Sequence, residues 1–286
     1  MISRILVPLD GSVLAETVLP YVKQLGTGLA VPVELLRVAE GEEADGRQYL
    51  QAPAEYLAKA RVQVTSRTTT GDPAEQILAD ANGAQGTLIA MSTHGRSGLG
   101  RWLIGSVAGQ VLHGASGPLL LIRPAPRSPL APEPVLRSVL IPLDGSDLAE
   151  AVFPHVADLA KRLGLAVTVV KATPSASDYE RSNTGSGGWG SAFRPDVQAE
   201  MAQADRLAEA YLADAAGRLR AQGLASTHAL VIHGDPAEGI ISLAREGTLV
   251  AMATHGRAGV GRTLLGSVTD RVVRHGGEPV LVVRPG

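Results

Sequence analysis

The chain has 286 residues, of which 45% are hydrophobic, and a formal net charge of −2. This length is about twice that of a common domain, and the near-balanced charge does not fit a general nucleic-acid binder. The absence of cysteine excludes disulfides, thiolate catalysis and cysteine-ligated metal sites. No apolar run approaches the ~18 residues of a membrane span, and the N-terminal apolar run is too short for a signal peptide. We therefore expect a cytoplasmic protein without nucleic-acid or membrane partners.

The first half of the chain alternates short apolar runs with amphipathic stretches. The runs predicted as strands are, in chain order, RILVPL, VPVELLRV, VQVTSRTT, TLIAMS and PLLLIR. Between them lie helical patterns such as AETVLPYVKQLG, AEQILADA and SVAGQVLHGA. Near-continuous apolar strands separated by helices are typical of a parallel sheet covered on both faces. Pro20 lies inside the first helical pattern and predicts a kink, because proline removes a backbone donor.

A proline-rich segment, PAPRSPLAPEP, separates this half from a second copy of the same pattern. The second copy supplies the predicted strands SVLIPL, AVTVVKA, THALVI, TLVAMA and PVLVVR, and it repeats PLDGS, GDPAE and THGR in the same order. Pro154 takes the place of Pro20. Most of the extra length lies in residues 173–195, whose serine, glycine and asparagine content predicts a mobile loop.

The repeat predicts two tandem domains, residues 1–126 and residues 135–286, with a linker over residues 127–134. Each is expected to be a doubly wound α/β domain, with a five-stranded parallel sheet and helices on both faces.

In each copy, one aspartate follows the first predicted strand. Ligands of open parallel sheets bind beyond the carboxyl ends of the strands, so Asp10 and Asp144 are expected at that crevice. The alternative is a structural role, in which the aspartate or serine of DGS caps the following helix. The sequence leaves both interpretations open.

A glycine-rich segment follows the fourth predicted strand of each copy and ends where a helix begins. The helix would open at Gly105-Ser106 in the first copy and at Gly266-Ser267 in the second. Free N–H groups and the positive end of the helix dipole attract anions there, and glycine lets a phosphate approach the backbone. The serines could instead be plain N-caps, with Asp270 completing a capping box in the second copy.

Charged and histidine side chains border these glycines. Arg96, Arg101, Arg257 and Arg262 are candidates to neutralise phosphates, although solvated arginines are common on surfaces. His94 and His255 are expected to shape the loop or contact a ligand. The sequence contains neither a P-loop nor a dinucleotide fingerprint after the first strand.

These motifs resemble the universal stress protein family in its tandem form, over nearly the whole chain. ATP-binding members carry the pattern G-x-x-G, nine residues, G-[ST]. The second glycine and the final pair match at Gly95 and Gly105-Ser106, and again at Gly256 and Gly266-Ser267. The first glycine is replaced by Ser92 and Ala253, whose added Cβ could crowd the ribose or phosphate.

The resemblance implies ATP as ligand, with or without Mg²⁺. It also implies strand order 3-2-1-4-5 and pairing of the domains through their last strands as an internal pseudo-dimer, and it leaves a homodimer of the chain open. Asp10 and Asp144 would lie near adenine and ribose, and Val38, Ala172, Met91 and Met252 would line the base pocket. The nucleotide-binding residues implied in the two copies are Pro8, Leu9, Asp10, Val38, Met91, Ser92, His94, Gly95, Arg96, Gly105, Ser106 and Val107, then Pro142, Leu143, Asp144, Ala172, Met252, Ala253, His255, Gly256, Arg257, Gly266, Ser267 and Val268.

Three functions follow from this reading. The first is an ATP-binding stress-response module, regulated by its nucleotide and at most a slow ATPase, with no catalytic residue or metal ligand assigned. The second is a nucleotide hydrolase or nucleotidyl transferase that would use the aspartates or histidines of the crevice. The third is a nucleotide-free scaffold that binds partners through residues 173–195.

Overall fold

The computed structural model of the chain describes residues 1–39, 43–94, 104–124, 132–179, 197–254 and 266–284. The loop predicted over residues 173–195 starts at the last residue of a strand, and its residues from 180 onward lie outside these ranges. The linker predicted over residues 127–134 is described only from residue 132.

The first repeat contains the five predicted strands with helices between them. The strands are β1 Arg4–Pro8, β2 Val33–Ala39, β3 Val64–Thr70, β4 Thr87–Ser92 and β5 Leu119–Ile122. The helices are α1 Val13–Glu16, α2 Leu19–Leu29, α3 Glu43–Lys59, α4 Pro73–Asn82 and α5 Ser106–Gly114. Apolar runs form the inner strands, which are covered on both faces, as in β5, where all four residues are buried. The edge strand β3 is largely polar and has no fully buried residue.

The second repeat has the same architecture. Its strands are β6 Ser138–Pro142, β7 Ala166–Thr173, β8 Thr227–His233, β9 Thr248–Ala253 and β10 Val280–Val283. Its helices include α6 Asp147–Glu150, α7 Phe153–Leu163, α8 Val197–Ala221, α9 Pro236–Leu243 and α10 Ser267–His275. None of the described helices combines the length and apolar character that a membrane crossing requires.

The ten strands form one sheet in the order β3-β2-β1-β4-β5-β10-β9-β6-β7-β8. The order 3-2-1-4-5 implied for each repeat is therefore confirmed, and the strands within each repeat are parallel. The two five-stranded sheets are continuous because β5 and β10 pair antiparallel, with Leu120 opposite Leu281. This is the predicted pairing through the last strands.

Helices cover both faces of the sheet, as expected for a doubly wound fold. One face carries α2, α3, α7 and α8 over a core that runs through both repeats. The other face carries α4, α5, α9 and α10 over a second core, also shared by both repeats. Since the glycine motifs lead into α5 and α10, the second face is the one that forms the candidate sites.

The prediction that Pro20 and Pro154 kink a helix from within is wrong. A short helix ends before each proline, and a new helix then begins with Pro20 or Pro154 in its first turn. Proline suits that position because the first N–H groups of a helix have no intrahelical acceptor. These prolines therefore start a helix and do not bend one.

We predict that Leu120→Ala in β5 lowers the free energy of unfolding by about 2–5 kcal/mol, because Leu120 is only 1% exposed at the pairing of the repeats. Denaturant unfolding should remain a single transition, since both cores cross that pairing. Leu207→Ala is the control, because Leu207 is 66% exposed and its loss should change stability by less than about 0.5 kcal/mol. Equal effects of the two variants, or separate transitions for the two repeats, would contradict this account of the interface.

Candidate functional site

Each repeat has a cavity at the carboxyl ends of its first, second and fourth strands. The first cavity has a volume of about 290 Å³ and the second of about 380 Å³. Both lie where strand order reverses beside the first strand, the position at which open α/β sheets bind ligands.

Most of the residues singled out from the sequence line these cavities. In the first they are Pro8, Leu9, Asp10, Val38, Met91, Ser92, His94, Gly105, Ser106 and Val107. In the second they are Pro142, Leu143, Asp144, Ala172, Met252, Ala253, Gly266, Ser267 and Val268. The remaining candidates lie outside the described ranges: Gly95, Arg96, Arg101, His255, Gly256, Arg257 and Arg262.

One wall of each cavity, formed by α4 in the first repeat and by α9 in the second, was not predicted from the sequence. Pro73 and Ile77 of α4 line the first cavity, and Pro236 and Ile240 of α9 line the second. The repeated GDPAE motif was a signal for this wall. Its aspartate is the N-cap of the helix, accepting from the N–H of the glutamate at 2.9 Å in both repeats.

Further lining residues carried weaker signals. Leu36 lies two positions before Val38 and therefore points to the same face of β2, a relation that strand periodicity predicts. The other lining residues that were not anticipated are Ala15, Thr93 and Ala108 in the first cavity and Ser146, Leu148, Ala149, Val170, Lys171, Ile232, Thr254 and Thr269 in the second.

The DGS turn combines the two roles that the sequence left open. Ser12 is the N-cap of α1, and its Oγ accepts from the N–H of Ala15 at 3.1 Å. Asp10 Oδ1 in turn accepts from the N–H of Ser12 at 2.9 Å and from its hydroxyl at 2.6 Å. The aspartate is thus not the cap; it holds the capping serine while lining the cavity.

The second repeat builds the same turn. Asp144 Oδ1 accepts from the N–H of Ser146 at 2.8 Å and from its hydroxyl at 2.6 Å. Partial burial opposes ionisation of Asp144, but the hydrogen bonds from Ser146 outweigh it and lower the pKa of the carboxyl. Asp144 is therefore an anionic group at the rim of the second cavity at neutral pH.

The last helix of each repeat begins at a glycine without a side-chain cap. Gly105 and Gly266 are the N-cap residues of α5 and α10, and as glycines they supply no side-chain cap to the amides that follow them. The alternative of Ser106 and Ser267 as N-caps is therefore wrong, because both are already helical. The capping box is not formed either, because Ser267 is not the N-cap, and Asp270 instead pairs with Arg274 at 2.8 Å. Residues of both helix N-termini line the cavities, and within the described ranges their first amides, which have no intrahelical acceptor, receive no side-chain cap.

The residue in place of the first motif glycine has a structural use in the first repeat. Ser92 is 7% exposed, and its hydroxyl donates to the carbonyl oxygen of His94 at 2.7 Å. Thr93 Oγ1 lies 3.0 Å from His94 Nδ1, which orients the ring. The opposite ring nitrogen, Nε2, is buried and has no hydrogen-bond partner among the residues that the structure describes. His94 is thus held with one polar atom unmatched at the wall of the cavity.

A polar cluster supports the rim of the second cavity. Arg218 donates to both oxygens of Glu150 at 2.6 and 2.7 Å, and the Tyr211 hydroxyl donates to the same carboxylate at 2.8 Å. The Arg218 bonds lower the pKa of Glu150. Lys171 Nζ lies 5.6 Å from the centre of the Tyr211 ring and donates to the carbonyl oxygen of Asp144.

The first repeat keeps the cation–tyrosine contact of this cluster, with arginine in place of lysine. Arg37, which corresponds to Lys171, places its guanidinium 5.1 Å from the centre of the Tyr49 ring. Gly11 adopts φ +86°, which side chains rarely allow, and a Cβ there would lie 2.8 Å from Arg37 Nη1, so this turn favours glycine. Within the described ranges, no three His, Cys, Asp or Glu side chains gather closely enough to hold a metal ion.

Comparison with known proteins identifies the family. The model of the universal stress protein family matches residues 1–123 and 136–284. Universal stress protein Rv2005c of Mycobacterium tuberculosis (strain ATCC 25618 / H37Rv) is 28% identical over 250 residues, covering 85% of this chain and 78% of the relative. A universal stress protein of Mycolicibacterium smegmatis is 28% identical over 199 residues; the match covers 69% of this chain but 62% of that relative's length.

Solved structures share the fold. A universal stress protein from Archaeoglobus fulgidus DSM 4304 has a TM-score of 0.66 at 20% identity and covers 99% of this chain and 98% of its own. The functionally unknown protein PA1789 from Pseudomonas aeruginosa PAO1 has a TM-score of 0.67 at 19% identity, covering 99% of this chain and 93% of its own. At these identities the likeness shows a common fold only, and it says nothing about ligands.

We predict that Glu150→Gln destabilises the protein at neutral pH and that its effect fades in acid. A carboxyl whose pKa is lowered by folding stabilises the native state above its ordinary value, 4.5 for glutamate, and loses this contribution as the pH falls through the folded pKa. The difference in unfolding free energy from wild type should therefore be constant near pH 7 and shrink below about pH 4.5.

Asp214→Asn is the matched control for Glu150→Gln, because Asp214 pairs with the same Arg218 but is 69% exposed. Its effect should be small at every pH. Urea titrations between pH 3 and pH 7 measure both variants, and a Glu150→Gln effect that is independent of pH would contradict the ionic role of this carboxylate.

Proposed function

The chain belongs to the universal stress protein family, and we propose that it binds one adenine nucleotide, ATP with or without Mg²⁺, in each of its two cavities. In this proposal the nucleotide is a regulatory ligand in a stress response and is hydrolysed slowly at most.

The observation that carries the proposal is the uncapped helix N-terminus at each cavity. Gly105 and Gly266 place the first turns of α5 and α10 at the cavities and provide no side-chain cap for their amides, so that these donors have no cap within the part of the chain that the structure describes. Such an arrangement favours a phosphate, because the amides and the helix dipole both attract negative charge. That both repeats keep it, with different flanking residues, supports two phosphate sites in one chain.

The opposite part of each cavity suits an apolar planar group. Leu36, Val38, Ile77 and Met91 supply aliphatic and thioether surface in the first cavity, beside the carboxylate of Asp10. Apolar walls with a few fixed polar groups are the usual composition of a small-molecule site. In the second cavity Ala172 takes the place of Val38. We propose that the base binds against these walls and the ribose near the aspartate.

The residues present fit a nucleotide in two further respects. His94 Nε2 is buried without a partner among the described residues, so a ligand oxygen or nitrogen could satisfy it. Ser92 directs its hydroxyl to His94, which leaves its Cβ as the additional bulk relative to glycine.

The proposal of slow turnover rests on how the titratable groups are engaged. Asp10 already accepts two hydrogen bonds from Ser12, and the ring of His94 is oriented by Thr93. Among the described residues, the partner of the His94 ring is the neutral hydroxyl of Thr93 and not a carboxylate that would stabilise an imidazolium. The Oδ1 atom of Asp10 is engaged by Ser12 and is not available to take a proton from water. A regulatory role is supported by the packing of α5 and α10 on one core with β5 and β10, the strands that join the repeats.

We predict that gently purified protein, once denatured, releases up to two equivalents of adenine nucleotide per chain, and that calorimetry with ATP and Mg²⁺ detects two sites on the emptied protein. Gly266→Val should reduce the stoichiometry from two to one. A Cβ at Gly266 meets no atom of the described residues within 4 Å, and Gly266 lines the second cavity, so we expect the added bulk to enter the ligand space.

Gly277→Val is the matched control, because a Cβ there also meets nothing within 4 Å and Gly277 does not line either cavity. Gly105→Val is a less clean block of the first site, since its Cβ would lie 3.2 Å from the carbonyl oxygen of Thr93. Absence of released nucleotide, together with no heat of ATP binding, would sink the proposal and favour a scaffold without nucleotide.

A further inference from the structure

The N-terminus of α5 lines the first cavity, and a residue of the second repeat binds the C-terminus of the same helix. Arg284, directly after β10, donates through Nη1 to the carbonyl oxygen of His113 at 2.6 Å and through Nη2 to that of Leu112. Both carbonyls belong to the last turn of α5. Arg284 is 9% exposed, so its guanidinium forms these bonds in the interior.

The equivalent contact in the other direction joins a residue of the first repeat to the C-terminus of α10, whose N-terminus lines the second cavity. Arg123, directly after β5, donates through Nη1 to the carbonyl oxygens of Arg274 at 2.8 Å and Gly276 at 3.3 Å. Arg274 lies in the last turn of α10, and Gly276 is its C-cap. Each repeat therefore places an arginine on the C-terminus of the other repeat's last helix.

The position of this contact matters because of helix electrostatics and geometry. The last carbonyls of a helix have no intrahelical donor and carry the negative end of its dipole, so a guanidinium there stabilises the helix. The α5 helix has nine residues and is roughly 13 Å long. Because the helix is short, hydrogen bonds that fix its C-terminus also fix the direction of the amides at its N-terminus.

The residue that follows the fourth strand of each repeat, where the glycine-rich segment begins, is held by a main-chain hydrogen bond within the same repeat. The N–H of Thr93 donates to the carbonyl oxygen of Ile122 at 2.8 Å, and the N–H of Thr254 donates to that of Val283 at 2.9 Å. Ile122 and Val283 immediately precede the two arginines. Replacing an arginine side chain leaves these main-chain bonds in place and removes its hydrogen bonds to the helix of the opposite repeat.

We propose that Arg284 is a positioning residue for the phosphate site of the first cavity and Arg123 one for the second. Each nucleotide site is then completed by a side chain of the other repeat, and the two sites depend on the pairing of β5 with β10. This inference rests on the proposed nucleotide sites.

The test uses the full chain carrying Gly266→Val, which leaves the first site, and calorimetry with ATP and Mg²⁺. Adding Arg284→Met should weaken ATP binding at least about 5-fold, whereas adding Arg123→Met should change it less than about 2-fold. The crossed pattern is the decisive feature, because Arg123 is the arginine that belongs to the same repeat as the site. Arg284→Lys should recover part of the affinity, since lysine keeps the charge but lacks the two-pronged geometry.

Hydrogen exchange of the backbone amides of residues 109–112 gives a second readout without nucleotide. Exchange should accelerate in Arg284→Met and not in Arg123→Met. Equal weakening of ATP binding by both variants, or by neither, would overturn the crossed positioning roles while leaving the nucleotide sites intact. Failure of the wild-type chain to bind ATP is a different result, which removes the proposed function and this inference together.

Discussion

The antiparallel pairing of β5 with β10 is the constraint on which the rest of the structure depends. It converts two five-stranded parallel sheets into one sheet of ten strands and allows two cores to run through both repeats. Leu120 and Leu281 face each other in this pairing and are both 1% exposed. Burial of such aliphatic surface is the main favourable contribution to folding, so neither repeat keeps its full core without the other.

The same pairing organises the candidate sites. Parallel strands end at a common edge, so β1, β2 and β4 bring their carboxyl ends to one cavity, and β6, β7 and β9 do so in the second repeat. Because β5 and β10 lie beside each other, the helices leading into them lie on the same face of the sheet. The arginines that follow the two strands can therefore reach across to the opposite helices. A nucleotide at either cavity would contact an element whose position depends on both repeats.

Much of the fold could be predicted from the sequence because its information is local. Buried strands read as apolar runs, and the repeated motifs fix their order along the chain. The helix starts could be predicted less well. Pro20 was expected within a helix, yet it begins one, because the residues before it already complete a short helix capped by Ser12.

The site could be predicted where residues follow strands directly and not where contacts join distant segments. Asp10 and Val38 fall at strand ends, so topology alone brings them to the cavity. The bonds from Arg284 to α5 join residues 171 and 172 positions apart, and no sequence pattern announces them. The sequence also could not decide whether Asp10 or Ser12 capped the helix, since both are good caps and only the geometry distinguishes them.

A crystal structure of the chain grown with ATP and Mg²⁺ would show whether the two cavities are nucleotide sites. We expect one nucleotide in each cavity, with phosphate oxygens within hydrogen-bond distance of the first amides of α5 and α10. The base should pack against Val38 and Met91 in the first cavity and against Ala172 and Met252 in the second. Two empty cavities at saturating ATP, or phosphates bound away from Gly105 and Gly266, would contradict the proposal.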